Sequence, residues 1–228
     1  MTVPTLSPRL EALREKIRHS RGRLIFALDA TGSREPTWDM AAQLQAEMFT
    51  EAAHVGGLDV QLLYYRGHDE VRHSAWISDA PELIRQMSGI RCAYGGTKIA
   101  RMLRHIKTQH DRARVNAAIF IGDAVEEQPK ELYDAAAGLD VPLFVFQEGD
   151  GVVIYHGQHG EPAGGQPVED VFRELARLTG GAYGRFNAGA ARQLGELLRA
   201  VAAFAAGGMT ALANQNTDSA RKLLGQMK

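Results

Sequence analysis

LIFALDATGS, residues 24–33, decides the reading of this chain. Leu24 to Leu28 form a short, unbroken apolar run, the pattern of a strand buried on both faces of a parallel sheet. The run stops at Asp29, and Thr31, Gly32 and Ser33 then turn the chain with oxygen-bearing side chains two residues apart. The same phrase recurs downstream: VNAAIFIGD, 115–123, is a second apolar run ending in an aspartate, Asp123. VPLFVF, 141–146, is a third buried run and AYGRF, 182–186, a last short strand.

Helical spacing fills the intervals. Met40, Leu44, Met48 and Phe49 mark a helix over 38–54, stopped by Gly56 and Gly57. Ile99, Met102, Leu103 and Ile106 follow the three-four spacing of a surface helix that begins near Lys98. Further helices are expected over about 79–88, 128–138 and 167–179, and a final one carries Leu194, Leu197, Leu198, Val201 and Phe204. LDVQLLYYRG (58–67) and VRHSAWI (71–77) read as two strands joined by a tight polar turn, which suits antiparallel neighbours. Buried strands alternating with amphipathic helices define a doubly wound α/β sheet, mostly parallel, with one antiparallel edge strand. The domain is expected over 22–206. It is preceded by a polar helix, 1–21, striped with Leu10, Leu13 and Ile17, and followed by a polar tail, 207–228, mobile or loosely helical. The segment 147–166 is long for a link after a strand, Glu148 to Gly151 within it is a turn signal, and VPLFVF (141–146) and VVIYH are expected to pair across it as a hairpin.

Composition excludes several classes. The net charge is −1, with basic and acidic residues interspersed, so there is no electrostatic footprint for nucleic acid. A single cysteine, Cys92, rules out an intramolecular disulfide scaffold; the residue reads as a half-buried filler. The first residues lack the apolar core of a signal peptide, and no apolar run reaches the roughly 18 residues of a membrane span, so the expected setting is cytoplasmic. There is no Gly-rich phosphate loop of either common type. His156 and His159 lie on a Gly-rich loop with no third ligand in view; His68, His73, His105 and His110 have no nucleophile beside them; Trp38 and Trp76 read as packing aromatics.

In an open α/β sheet, ligands sit beyond the carboxyl ends of the strands where the strand order reverses. If the strands ending at Asp29 and Asp123 are neighbours, the two lie about 5 Å apart and their carboxylates face each other. They repel unless one is protonated or a cation lies between them. Thr31 and Ser33 supply hydroxyls from the first loop, and Gly95, Gly96 and Thr97 bring another at the start of a helix. Five oxygen donors without thiolate or imidazole favour Mg²⁺, Mn²⁺ or Ca²⁺ over zinc. The competing reading makes the hydroxyls helix caps and the aspartates ordinary loop residues, in a domain without an ion.

DATGS, GGT and FIGD on this frame resemble the metal-ion-dependent adhesion site of von Willebrand factor A domains, whose pattern is D-x-S-x-S, a distant Thr and a distant Asp. The resemblance covers about residues 22–206; ELARLTGGAYGRF (174–186) is similar to the last helix–strand turn of many such domains. It implies that Thr31, Ser33 and Thr97 touch the metal, expected to be Mg²⁺, while Asp29 and Asp123 act largely through water. It implies no catalysis, but a protein partner whose carboxylate completes the metal shell. Intracellular members of the family often accompany AAA+ ATPases or chaperone-like systems. Thr31 departs from the usual Ser, adding a methyl group and a stiffer side chain. Tyr94, Arg34 and Glu35 stand beside the expected ligands and read either as the rim of the partner surface or as solvated loop residues. The two aspartate-ended strands also resemble haloacid dehalogenase-like phosphotransferases. There Asp29 would be the nucleophile, Asp123 and Glu127 metal supports and Lys98 a phosphate clamp. Phosphatases of that kind usually carry a second aspartate where Thr31 stands.

Overall fold

A computed structural model describes residues 21–34, 57–150, 167–187 and 191–227. Its centre is a six-stranded sheet: β1 (Gly22–Asp29), β2 (Leu58–Arg66), β3 (Glu70–Ile77), β4 (Ala117–Gly122), β5 (Leu143–Glu148) and β6 (Tyr183–Phe186). The spatial order is β3-β2-β1-β4-β5-β6. β2, β1, β4, β5 and β6 run parallel, and β3 pairs antiparallel with β2 at one edge. The helices are α1 (Ala80–Ser88), α2 (Ile99–Arg112), α3 (Pro129–Ala137), α4 (Val168–Leu178), α5 (Ala191–Asn214) and α6 (Asp218–Leu224). The doubly wound sheet with one antiparallel edge strand is as the sequence predicts.

Period-two alternation along the central strands divides the core into two layers. Leu24, Phe26 and Leu28 of β1, with Ile119 and Ile121 of β4, pack toward α1, α5 and α6. Ile25 and Ala27 of β1, with Ala118 and Phe120 of β4, pack toward α2, α3 and α4. Both faces of the sheet are therefore covered, which is why these strands read as unbroken apolar runs.

The C-terminus corrects the expected polar tail. α5 runs through the predicted boundary to Asn214, interrupted only by Gly208, whose φ of 69° is accessible to glycine without penalty. Thr217 caps α6, its hydroxyl accepting from the Ala220 amide. α6 then returns to the body, burying Ala220 and Leu223 beside Leu212. Gln226 clasps the last strand: Oε1 accepts from the Tyr183 amide at 2.9 Å, and Nε2 donates to the Tyr183 carbonyl at 3.0 Å. In length and hydropathy α5 also matches a bilayer span. Its apolar positions Leu194, Leu198 and Val201 are packed in the core on the sheet. The predicted helices over 1–21 and 38–54, and the hairpin with residues 151–166, lie outside the described residues.

Candidate metal-binding face

The strand order places the switch point between β1 and β4. From β1 the chain moves to β2 on one side and later returns to β4 on the other. Leu28 is in register with Ile121, so Asp29 and Asp123 leave the sheet side by side at its carboxyl edge. Asp29 is wholly buried. Its Oδ1 accepts from the Thr31 amide and its Oδ2 from the Tyr65 hydroxyl, each at 2.8 Å. Burial and the neighbouring charge of Asp123 raise the Asp29 pKa, opposed by the hydrogen bonds from Thr31 and Tyr65. Tyr65 is itself buried at the end of β2, directly across from Asp29. Burial and the Asp29 charge hold its phenol protonated, which makes it a fixed donor.

Thr31 and Ser33 sit on the loop leaving β1, their hydroxyl oxygens 3.2 Å apart. Thr31 is buried and Ser33 exposed. At the start of α2, the Thr97 hydroxyl donates to Glu127 Oε2 at 2.9 Å and accepts from the Glu126 amide at 3.0 Å. One lone pair of that hydroxyl remains uncommitted. Glu127 also accepts from the amides of Ile99 and Ala100, at 2.9 and 2.8 Å. It thereby caps α2, whose own N-cap residue, Lys98, provides no side-chain cap. A carboxylate there satisfies orphan donors and opposes the positive end of the helix dipole.

Asp123 completes the group. Its Oδ1 is buried and has no hydrogen-bond partner among the described residues. A buried carboxylate oxygen without a donor is costly, and here it lies near a second buried carboxylate. The donor set fits a hard cation: two carboxylates, one with an unengaged oxygen, and three hydroxyls, with no sulfur or nitrogen among the five. Asp29, with both oxygens already accepting, suits contact through water, whereas the hydroxyls have lone pairs to give. Among the described residues no three His, Cys, Asp or Glu side chains cluster as a metal site.

Close backbone packing shapes the rim. A Cβ on Gly95 would lie 1.7 Å from the Gly67 carbonyl oxygen, and one on Gly32 would lie 3.0 Å from the Tyr94 ring. The Ala93 amide donates to the Ala30 carbonyl, tying the two loops together. Tyr94 is 90% exposed and rests on the Gly32 turn. The Arg34 side chain and Glu35 lie outside the described residues. Sequence reasoning did not assign Tyr65 a role and gave Glu127 one only in the phosphotransferase reading. Each acts on a residue 30 or more positions away, and no local pattern reports such a contact.

No family model matches the sequence, and no curated protein matches it. Solved structures do match the fold. A von Willebrand factor type A protein from Catenulispora acidiphila superposes with a TM-score of 0.57 at 16% identity, over 82% of this chain and 43% of that one. The pilus adhesin SpaC from Lactobacillus rhamnosus GG gives 0.57 at 11% identity, over 82% and 30%. The SpRpn10 VWA domain gives 0.55 at 9%, over 74% and 89%. This chain spans less than half the length of the first two. The fold is that of the von Willebrand factor A-like domains.

The phosphotransferase alternative is not supported. Asp29 is inaccessible with both oxygens engaged, Glu127 is occupied at the α2 N-terminus, and Lys98 Nζ donates to the Thr97 carbonyl at 3.3 Å.

Proposed function

We propose that this chain is a divalent-cation-dependent protein-binding module of a cytoplasmic complex. The observation that carries the reading is the buried, unpartnered Asp123 Oδ1 beside the buried Asp29 carboxylate. Thr31, Ser33 and Thr97 would hold Mg²⁺ directly, with Mn²⁺ or Ca²⁺ as chemically equivalent hard cations, and Asp29 and Asp123 would support it. When bound, the cation supplies an open coordination position for a carboxylate of the partner protein. Tyr65 and the Thr31 amide hold Asp29 in place, and Glu127 orients the Thr97 hydroxyl. Tyr94 offers a large exposed aromatic beside that position, the residue type enriched at binding hot spots. Set beside the Gly32 turn, it borders the surface where the partner's acidic side chain arrives. An AAA+ ATPase-type or chaperone-like assembly is the partner class that the resemblance implies.

Calorimetric titration of Mg²⁺ and Mn²⁺ into wild type and Asp29→Ala tests the site, with phosphatase turnover assayed in parallel. Saturable binding lost in the variant, without turnover, supports the module. Absence of binding at millimolar metal in a folded wild type overturns it, as does turnover abolished by Asp29→Asn. Partner capture in Mg²⁺, lost in chelator and in Thr97→Ala, tests the bridging role.

A further inference from the structure

A second cluster lies away from the aspartates, where the edge strand meets α2. β3 carries an irregularity opposite β2: Gln61 is in register with Trp76, but Leu63 is in register with His73. Two steps on β2 therefore face three on β3, which is a bulge that re-aims side chains. Leu63 packs in the layer beneath α2, so His73, its cross-strand partner, stands on that same face. His105 comes down from α2 to meet it. The two rings lie 4.5 Å apart between centroids with planes inclined at 34°.

The hydrogen bonds around them fix where the protons sit. Gln61 is buried, and its Nε2 donates to the Ser74 carbonyl at 3.1 Å. That orients its amide, so Oε1 is the atom facing His105 Nε2 at 2.8 Å. An amide oxygen only accepts, so His105 Nε2 carries the proton and Nδ1 keeps its lone pair. His73 Nδ1 lies 3.1 Å from the same Ser74 carbonyl, so Nδ1 is the donor there and Nε2 is the nitrogen left open. One backbone carbonyl and one buried amide thus engage one nitrogen of each of two neighbouring imidazoles, and the second nitrogen of each ring is left without a protein partner among the described residues. Donation of the other ring N–H to a carbonyl is the arrangement that orients histidine ligands of metals. Burial first, and then the repulsion of a second proton by the neighbouring His73 ring and Arg112, push the His105 pKa down to about 4, so the ring is neutral at physiological pH.

We propose that His73 Nε2 and His105 Nδ1 form a two-imidazole site for a transition-metal ion of the Cu²⁺, Ni²⁺ or Zn²⁺ class. Imidazole nitrogen selects these ions over Mg²⁺ and Ca²⁺, which separates this site from the oxygen-lined one. Water completes the shell, since among the described residues no further His, Cys, Asp or Glu joins the pair to make a three-ligand group. An ion held here ties the exposed edge strand to α2.

Cu²⁺ and Ni²⁺ added to the full chain test this. Wild type shows a Cu²⁺ electron paramagnetic resonance spectrum with two-nitrogen coordination, and a Ni²⁺-dependent rise in melting temperature. His73→Ala, at an exposed position, melts as wild type does in chelator yet loses the spectrum, the rise and at least tenfold in affinity. His105→Ala loses the same spectrum, while Asp29→Ala keeps it. An unchanged spectrum and an unchanged Ni²⁺ response in His73→Ala, or no Ni²⁺ response in wild type, would overturn the proposal.

Discussion

Removing the Glu127 carboxylate tests how the face is built. In Glu127→Ala, three donors lose their acceptor: the amides of Ile99 and Ala100 and the hydroxyl of Thr97. Loss of a helix cap costs about 1 kcal/mol, within a range of roughly 0.5–2. Loss of a negative charge at a helix N-terminus adds about 0.3–1 kcal/mol. Glu127 is only partly buried, and water will reach the freed amides, so the sum is set at about 2 kcal/mol rather than at the upper limit. For a chain of this length that lowers the melting temperature by about 4–8 °C. The second consequence is functional. Without Glu127 the Thr97 hydroxyl is free to rotate, and loss of a group that orients a ligand typically weakens metal affinity by about 10–100-fold. Thermal unfolding in chelator reads the first effect and Mn²⁺ calorimetry at a temperature where the variant is folded reads the second. A melting temperature within about 1 °C of wild type, together with unchanged affinity, would refute both the capping and the orienting role.

Three further outcomes are expected. Gly95→Ala drives a methyl group into the Gly67 carbonyl, a backbone atom that has to move, and is expected to destabilise the fold by about 1–3 kcal/mol in denaturant titration. Leu223→Ala, in α6, should cost about 2–5 kcal/mol as a fully buried position; a loosely attached tail would show almost no change. The third concerns acid. His105 has a folded pKa of about 4 against an ordinary 6.5. The unfolded chain therefore takes up the proton first, and stability present above pH 6.5 is lost as the pH falls toward 4. The full separation corresponds to about 3 kcal/mol. Half-exposure and solvent screening reduce it to about 1–2 kcal/mol. Unfolding curves between pH 7 and 4 should show that loss in wild type and much less of it in His105→Gln.

The sheet was legible because its signal is local. Strands covered on both faces have to be apolar at every position, so β1, β4 and β5 announce themselves without reference to anything else in the chain. Asp29 and Asp123 were legible for a related reason: a carboxylate at the end of such a run sits at the carboxyl edge of the sheet whatever the details. The polar turn GHDE, 67–70, likewise predicted the antiparallel edge. The C-terminus was misread because α6 has few apolar residues and a polar sequence around them. Leu212, Ala220 and Leu223 gain their burial from packing on the body, not from a recognisable stripe.

What the sequence by itself determined is therefore the layered frame and the position of Asp29 and Asp123 at its carboxyl edge. Periodicity and strand-end position are short-range properties, written in adjacent letters. Tertiary structure alone decided which atoms of those residues are engaged. Tyr65 reaches Asp29 from the neighbouring strand, Glu127 reaches back to Thr97 and the start of α2, and Asp123 Oδ1 is left buried without a donor. The His73–His105 pair depends in the same way on a bulge and a helix packing over it. Each of these contacts joins residues about 30 or more positions apart, and whether a hydrogen bond forms across that separation depends on distances of a few tenths of an ångström that only the packed chain establishes.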